Sequence, residues 1–240
     1  MTCKNITNGF CNENVHNIIE KMGQGRFREN FVGGLFSSRP AYSIFEGDEC
    51  IQYLQEYVPF HLPPIKIVLD NVIWESKDFF NYAINILDVC SGPATVPLAF
   101  CKIPSIRYAH KHKFEITTVE PSEGFNNMIN IFKATNTNEF IEIVNNLKYN
   151  LFDDNFMNDE SVFKTGYNWV IIANSISAIG EGRTNQEVNG ILNKFISKVL
   201  CYGNKVLLTV IEGGLTKYFD FINYLDNIER TGFSLLLELK

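Results

Sequence analysis

The sequence has little of what would point to a membrane span, a disulfide framework or a metal centre. No run of eighteen or more apolar residues occurs among its 240 residues, so no transmembrane helix is predicted. Its six cysteines are scattered without a C-x-x-C pair. In a chain of this size that pattern indicates reduced thiols in an intracellular compartment, rather than disulfides or a zinc site. The four histidines add no metal-binding pattern, so no metal site is predicted.

An excess of basic residues is also missing, and no secretory signal peptide is predicted. Lysine and arginine number 21 against 27 aspartates and glutamates, for a net charge of −6. A protein that holds long nucleic acid by itself usually presents a basic face, so the charge leaves nucleic acid open as a substrate without supporting it. The first residues lack the apolar core of a secretory signal. We expect a reducing intracellular location, the cytoplasm or, as an open alternative, the mitochondrion.

What the sequence does contain is an alternation of buried strands and amphipathic helices from residue 84 onward, with 45% hydrophobic residues overall. This pattern predicts an α/β, Rossmann-like, doubly wound and mostly parallel sheet over residues 84–240. The predicted strands are Ile84–Val89, Glu115–Val119, Phe140–Val144, Trp169–Ala173, Lys205–Ile211 and Ser234–Leu239. The predicted helices are Val96–His110, Gly124–Ala134, Asn185–Leu200 and Leu215–Arg230.

Residues 1–83 read as an N-terminal arm followed by a helical cap. Glu49–Val58 and Leu62–Trp74 carry apolar residues at helical spacing, and the prolines between them predict two separate helices leaning on the sheet. Further upstream, residues 23–39 mix glycines, aromatics and arginines without periodicity. That stretch is either a functional lid or a flexible arm.

The most informative stretch is the turn after the first predicted strand. The strand ends near Asp88, a turn of small residues follows, and the next strand closes on Glu120. A parallel sheet holds a nucleoside with this arrangement, because backbone amides of the turn approach the ligand and the acid accepts hydrogen bonds from the ribose. The dinucleotide fingerprint needs glycines at 90, 92 and 95, and only Gly92 matches. The spacing D-x-G-x-G-x-G fits better, with Cys90 and Ala94 as small replacements for glycine.

That spacing is the first motif of the class I S-adenosylmethionine-dependent methyltransferases, which the chain resembles from about residue 84 to its end. The resemblance implies that Asp88 anchors the turn near the methionine part of S-adenosylmethionine or S-adenosylhomocysteine, and that Glu120 binds the ribose. The cofactor-binding residues that it implies are Asp88, Cys90, Ser91, Gly92, Ala94, Glu120, Pro121, Asn146 and Asn174. A strand, turn and helix with no ligand is the alternative reading of the motif.

Four polar positions further along are ambiguous. Asn146 stands where the family often has an acid that accepts a hydrogen bond from the adenine amino group. The pair Asp153-Asp154 is the alternative for this role, but it can also simply form a turn. Asn168 replaces a usual aspartate at the start of the fourth strand. Asn174 and Ser175 at its end either face the cofactor or substrate, or simply cap the next turn.

The function predicted from the resemblance is methyl transfer to an unidentified acceptor, with no catalytic residue assigned. The alternative is a methyltransferase-like structural or binding subunit of a larger assembly, suggested by Cys90, Ala94 and Asn168. A nicotinamide oxidoreductase ranks third. The segments 86–95 and 119–122 are also similar to the methyltransferase-like proteins associated with the mitochondrial small ribosomal subunit, whose cysteine-rich segment this sequence lacks.

The end of the sequence also bears on partners. Family members usually finish with two further strands, and Ser234–Leu239 can supply only the first. Either the sheet lacks its last strand, or the sequence is a fragment, or another chain completes the sheet. An apolar strand at an open edge invites pairing. We therefore expect a protein partner, a second copy of the chain or the N-terminal region to cover it.

Overall fold

A parallel β-sheet forms the centre of the protein in the computed structural model. The structure describes residues 49–50, 53–54, 57–76, 79–81, 83–103, 106, 113–151, 153–175, 183–202, 206–211 and 235–236. The strands are β1 (Ile84–Val89), β2 (Phe114–Val119), β3 (Ile141–Leu147), β4 (Trp169–Ala173), β5 (Leu207–Ile211) and the two-residue β6 (Leu235–Leu236). Their order is β3-β2-β1-β4-β5-β6, and every described pair is parallel. The predicted Rossmann-like α/β fold is confirmed.

Helices cover both faces of this sheet. The helices α1 (Val58–Glu75), α2 (Thr95–Cys101) and α3 (Glu123–Thr135) pack on one face. The helices α4 (Asp154–Asn158), α5 (Glu160–Phe163) and α6 (Asn185–Tyr202) pack on the other. A 3₁₀ turn, Phe79–Asn81, precedes β1. Since parallel strands are buried on both faces, β4 and β5 are almost continuously apolar.

The alternation of side chains along β1 decides where its acidic residue lies. Ile84 and Ile86 belong to the core under α1 and α2, whereas Leu87 and Val89 belong to the core under α6. Successive side chains point to opposite faces of a strand. Asp88 therefore falls on the face that α1 and α2 cover, at the carboxyl end of the strand.

Helix α1 begins at Val58 and runs without interruption through Pro63 and Pro64, so the predicted break at these prolines was wrong. Residues 49–50 and 53–54 are also helical and residue 57 is a turn, so the boundary between two helical segments lies before Val58 instead. Each proline removes one intrahelical hydrogen bond, and both lie in the second turn, beyond the first four amides that lack intrahelical partners anyway. The later turns bury Leu69 and Val72 completely against the sheet, and this burial stabilises the helix.

Most predicted strand boundaries agree closely with the structure, but the predicted helix Val96–His110 was wrong, because α2 ends at Cys101, shortly before Pro104 in the sequence. The bounds of β1 and β4 are as predicted, and β3 runs three residues further, to Leu147. The short helices α4 and α5 were not predicted. Of the predicted last strand, Leu235–Leu236 is described, and it pairs directly with β5 in parallel. The predicted helix Leu215–Arg230 and the candidate lid at residues 23–39 lie outside the described residues.

Two further findings concern the chain as a whole. No helix in the described part of the chain is long and apolar enough to cross a membrane. The four cysteines that the structure describes are all free thiols, as the sequence pattern predicted.

Candidate functional site

The turn between β1 and α2 has an unusual backbone. Cys90, Gly92 and Ala94 all have positive φ, at 55°, 55° and 65° respectively. Glycine adopts this left-handed conformation freely, whereas a residue with a Cβ is strained there by about 1–2 kcal/mol. The three left-handed residues occupy the three glycine positions of the predicted motif. The two substitutions therefore leave the glycine-type path of the turn intact.

Ser91 fixes this turn against the neighbouring strand. Its hydroxyl donates to the backbone oxygen of Asp88 at 2.7 Å and accepts from the backbone N–H of Val119 at 3.1 Å. The backbone N–H of Ser91 also donates to the backbone oxygen of Val119 at 3.1 Å. Ser91 thus positions the turn by joining the ends of β1 and β2.

Glu120 connects the end of β2 to the same turn. Its carboxylate is buried, and its Oε2 accepts from the backbone N–H of Gly92 at 2.9 Å. The Oε1 accepts from the backbone N–H of Ser122 at 2.9 Å. Glu120 is not among the residues that line the cleft described below, so its role at a ribose stays a prediction.

The corner that carries Glu120 and Pro121 is held by the start of α3. The Ser122 hydroxyl caps this helix by accepting from the backbone N–H of Phe125 at 3.2 Å. The Asn126 amide donates to the backbone oxygens of Glu120 and Ser122 at 2.8 and 2.6 Å. The carboxylate is therefore presented by a rigid corner.

A cleft opens beside this turn, at the carboxyl ends of β1 and β4. The cavity inside it is small, with a volume of about 30 Å³. Parallel sheets bind ligands at this edge. The lining residues are Tyr53, His61, Ile65, Asp88, Cys90, Ser91, Gly92, Thr95, Val96, Ala173 and Asn174.

Two buried polar groups in the cleft lack a hydrogen-bond partner among the described residues. They are the carboxylate of Asp88, with 1% of its surface exposed, and the Nδ2 of Asn174. Burial raises the pKa of Asp88 well above its usual value, the adjacent Ser91 side chain lowers this pKa, and the negative charge of Glu120 raises it. Asn174 also has a positive φ of 53°. Buried groups without partners are rare in folded proteins and call for an explanation.

Cys90 places a thiol in the cleft where the motif has glycine. Burial raises the pKa of this thiol to about 12, and the nearby charges of Glu120 and Asp88 contribute to the rise. The reactive form of cysteine is the thiolate. Cys90 therefore stays protonated at neutral pH and contributes a neutral S–H group to the cleft.

The wall opposite the turn comes from the helical cap, and the sequence pattern did not identify it. His61 and Ile65 of α1 line the cleft together with Tyr53. The Tyr53 hydroxyl lies 3.4 Å from the Nδ1 of His61, and burial lowers the pKa of this histidine. The Tyr53 ring packs on Phe125 with centroids 5.1 Å apart. Apolar spacing predicted that the helix leans on the sheet, but it gave no information on which residues cover the turn.

Asn146 lies apart from this group. Its Oδ1 accepts from the Thr118 hydroxyl at 3.0 Å, and its Nδ2 lies 3.5 Å from the backbone oxygen of Asn126 and from the Oδ1 of Asn130. It is not among the residues that line the cleft. Its role at an adenine stays a prediction.

The acidic pair that was the alternative to Asn146 forms a helix start. The Asp153 side chain accepts from the backbone N–H of Asn155 at 2.8 Å and caps α4. Asp154 pairs with Lys194 of α6 at 2.8 Å. Both contacts stabilise local structure, in agreement with the turn reading.

Asn168 lies at the opposite end of the sheet. Its Oδ1 accepts from the backbone N–H of Asn85 at 2.9 Å, and its Nδ2 donates to the backbone oxygen of Ala83 at 2.8 Å. An ionised aspartate has no hydrogen to donate to Ala83. This departure from the usual aspartate therefore has a local structural reason and does not concern the cleft.

Comparisons with known proteins add no family to these observations. No protein-family model matches the chain, and no curated protein matches it. Within the part of the chain that the structure describes, no three His, Cys, Asp or Glu side chains come together as a metal site. The function is therefore inferred from the geometry of the cleft and from the sequence motif.

Proposed function

We propose that this protein binds S-adenosylmethionine in the cleft and transfers its methyl group to an acceptor. The observation that carries this proposal is the left-handed conformation at Cys90, Gly92 and Ala94, the three glycine positions of the methyltransferase motif. A strained backbone at a ligand-binding edge is characteristic of functional sites. Two acidic residues flank this turn. Glu120 accepts a hydrogen bond from the backbone N–H of Gly92, and the carboxylate of Asp88 has no hydrogen-bond partner among the described residues.

The residues present fit such a cofactor. A Cβ built on Gly92 would meet no atom within 4 Å, so the space beside the turn is open to a ligand that approaches the backbone. The resemblance assigns the ribose hydroxyls to Glu120, whose carboxylate also holds the backbone N–H of Gly92 in the turn. The unpartnered carboxylate of Asp88 suits a cationic or hydrogen-bond-donating ligand.

The chemistry asks little of the protein beyond binding and orientation. Bound S-adenosylmethionine supplies an electrophilic methyl group on a sulfonium. The turn and Glu120 would fix its nucleoside, and Tyr53, His61 and Ile65 would shield the cleft from water. Holding two reactants in line within a shielded site accounts for most of the rate gain in such a displacement.

Calorimetry with S-adenosylhomocysteine tests the proposal. We expect the wild-type protein to bind and Glu120→Ala to lose roughly 2–4 kcal/mol of binding free energy, because two hydrogen bonds to a charged acceptor are removed. Glu142→Ala is the matched control. Glu142 lies on the outer strand β3, is exposed and forms an ion pair with Lys113. Absence of binding by the wild-type protein would refute the proposal.

Two alternatives give different results in the same titration. The parallel pairing of β6 with β5 gives the strand order of dinucleotide-binding Rossmann domains, which favours a nicotinamide dinucleotide. That reading expects NAD to bind more tightly than S-adenosylhomocysteine. The second alternative is a methyltransferase-like structural or binding subunit, favoured by the strained Cys90 and Ala94 in place of glycine. If this second alternative is right, the protein transfers no methyl group, and its solubility improves when it is co-expressed with a partner protein.

A further inference from the structure

The cavity beside the turn is much smaller than the ligand proposed for it. Its volume of about 30 Å³ has room for about two water molecules, and a nucleoside is many times larger. Tyr53 and His61 belong to the cap segment, which is the described residues between 50 and 62, and they form the wall opposite the turn. A nucleoside therefore fits the cleft only after this wall has moved.

The cap segment is held against the corner that carries Glu120. Cys50 is fully buried, and its Sγ lies 3.6 Å from the Oγ of Ser122, which caps α3. The Tyr53 ring packs edge-on against Phe125 in the first turn of the same helix, with centroids 5.1 Å apart. The backbone N–H of Ser122 in turn donates to Glu120. The contacts that hold the cap segment thus lie at the edge of the candidate site.

Helix α1 has a weak point directly after the cap segment. Pro63 and Pro64 have no backbone N–H, so two hydrogen bonds of the helix are missing there. Beyond the prolines, Ile65, Leu69 and Val72 are buried in the core between the helices and the sheet. Local opening starts where hydrogen bonds and buried contacts are fewest. The two prolines therefore separate a start of the helix that can move from a remainder that stays on the sheet.

We propose that the closed cap segment blocks the cleft, and that it turns about Pro63 and Pro64 to admit a ligand. The inference rests on the proposed function only for the identity of that ligand. Burial of Cys50, Leu54 and Val58 favours the closed position in the free protein. Association is slow when binding requires such a change of conformation.

A reversible cross-link between the cap segment and the corner tests the proposal. The Sγ of Cys50 lies close enough to the Ser122 side chain for Ser122→Cys to form a disulfide with it on mild oxidation, which mass spectrometry confirms. We expect the oxidised variant to associate with S-adenosylhomocysteine at least tenfold more slowly than the same variant reduced with dithiothreitol, as measured by surface plasmon resonance. The wild-type protein, oxidised and reduced in the same way, is the control and should show no difference. Equal association rates of the two forms of the variant would overturn the inference while the proposed function stands.

Amide hydrogen exchange on the same two forms tests the opening without any ligand. The backbone N–H groups of Tyr57 and His61 donate to the backbone oxygens of Tyr53 and Tyr57 at 2.9 Å each, so they report on the cap segment. We expect the cross-link to slow exchange of these two amides at least tenfold and to leave those of Leu69 and Val72 unchanged. Equal exchange in both forms would overturn the inference. Failure of the wild-type protein to bind S-adenosylhomocysteine would refute the proposed function alone, since the exchange result still decides whether the cap segment opens.

Discussion

The two ends of the parallel sheet differ in how their polar groups are satisfied. At the amino end, the Asn168 side chain uses both its oxygen and its nitrogen in hydrogen bonds to the backbone around β1. At the carboxyl end, the buried carboxylate of Asp88 and the Nδ2 of the partly exposed Asn174 have no hydrogen-bond partner among the described residues. The described non-glycine residues with positive φ are Cys90, Ala94 and Asn174, all at the carboxyl end.

This difference separates stability from binding within one sheet. Strain and unsatisfied polar groups reduce stability, and folded proteins retain them mainly where a function requires them. Changes at the amino end should therefore alter stability alone. Changes at the carboxyl end should alter ligand binding, and some of them should stabilise the ligand-free protein.

The largest effect is expected at Gly92. Gly92→Val introduces a branched side chain at a φ of +55° and fills the open space beside the turn. We expect binding of S-adenosylhomocysteine to fall by more than a hundredfold while circular dichroism still shows a folded protein. Gly190→Val is the control, because Gly190 is an exposed position of helix α6 with open space around it and without a positive φ. Undiminished binding by Gly92→Val would remove the turn from the site.

Asp88→Asn should stabilise the ligand-free protein and weaken binding of S-adenosylmethionine. Keeping a buried aspartate protonated, or burying its charge, lowers the free energy of unfolding at pH 7 by about 1–4 kcal/mol. Because the folded pKa is raised, the wild-type protein should lose stability as pH rises above about 4, the ordinary pKa of aspartate, towards the folded pKa. Urea unfolding of both proteins at several pH values measures this. A lower stability of Asp88→Asn at pH 7 would contradict the account.

A change at the amino end should have the opposite profile. Asn168→Asp places a carboxylate oxygen against the backbone oxygen of Ala83, which then loses its donor. We expect the free energy of unfolding to fall by about 1–3 kcal/mol, with ligand affinity unchanged. Chemical denaturation and calorimetry on the same sample measure both quantities. A loss of affinity in a protein that is otherwise stable would place Asn168 in the binding machinery.

The smallest effect is expected where strain and packing oppose each other. Ala94→Gly removes the backbone strain of a left-handed residue. It also raises the conformational entropy of the unfolded chain and removes a buried methyl group, and both changes lower stability. We expect a net change within about 1 kcal/mol. Ala99→Gly, at an equally buried position inside α2, has no strain to relieve and should be destabilised by about 1 kcal/mol more. Equal losses in both variants, measured by thermal unfolding, would show that the turn stores no strain.

Local patterns in the sequence predicted the sheet and the turn well. The apolar runs predicted the first and last residues of β1 and β4 correctly. The small residues after Asp88 indicated a turn with glycine-like conformations. These features depend on neighbours along the chain. The parallel order of β1, β2 and β4 then brings Asp88, Gly92 and Glu120 to one edge.

Features that depend on contacts distant in sequence were not predicted. The closure of the cleft by His61 requires α1 to cross a particular part of the sheet, which apolar spacing does not specify. The role of Asn168 depends on the backbone near Ala83, more than eighty residues away. The absence of a partner for Asp88 is likewise a property of the folded surroundings, and no sequence pattern encodes it directly.

Amide hydrogen exchange with and without S-adenosylhomocysteine tests the central claim most directly, because it reports on both ends of the sheet in one measurement. The account predicts slower exchange at residues 90–94 and 120–122 in the presence of the ligand, with no change at residues 83–85 and 168. Unchanged exchange in the turn at saturating ligand, or protection confined to the amino ends of the strands, would contradict it.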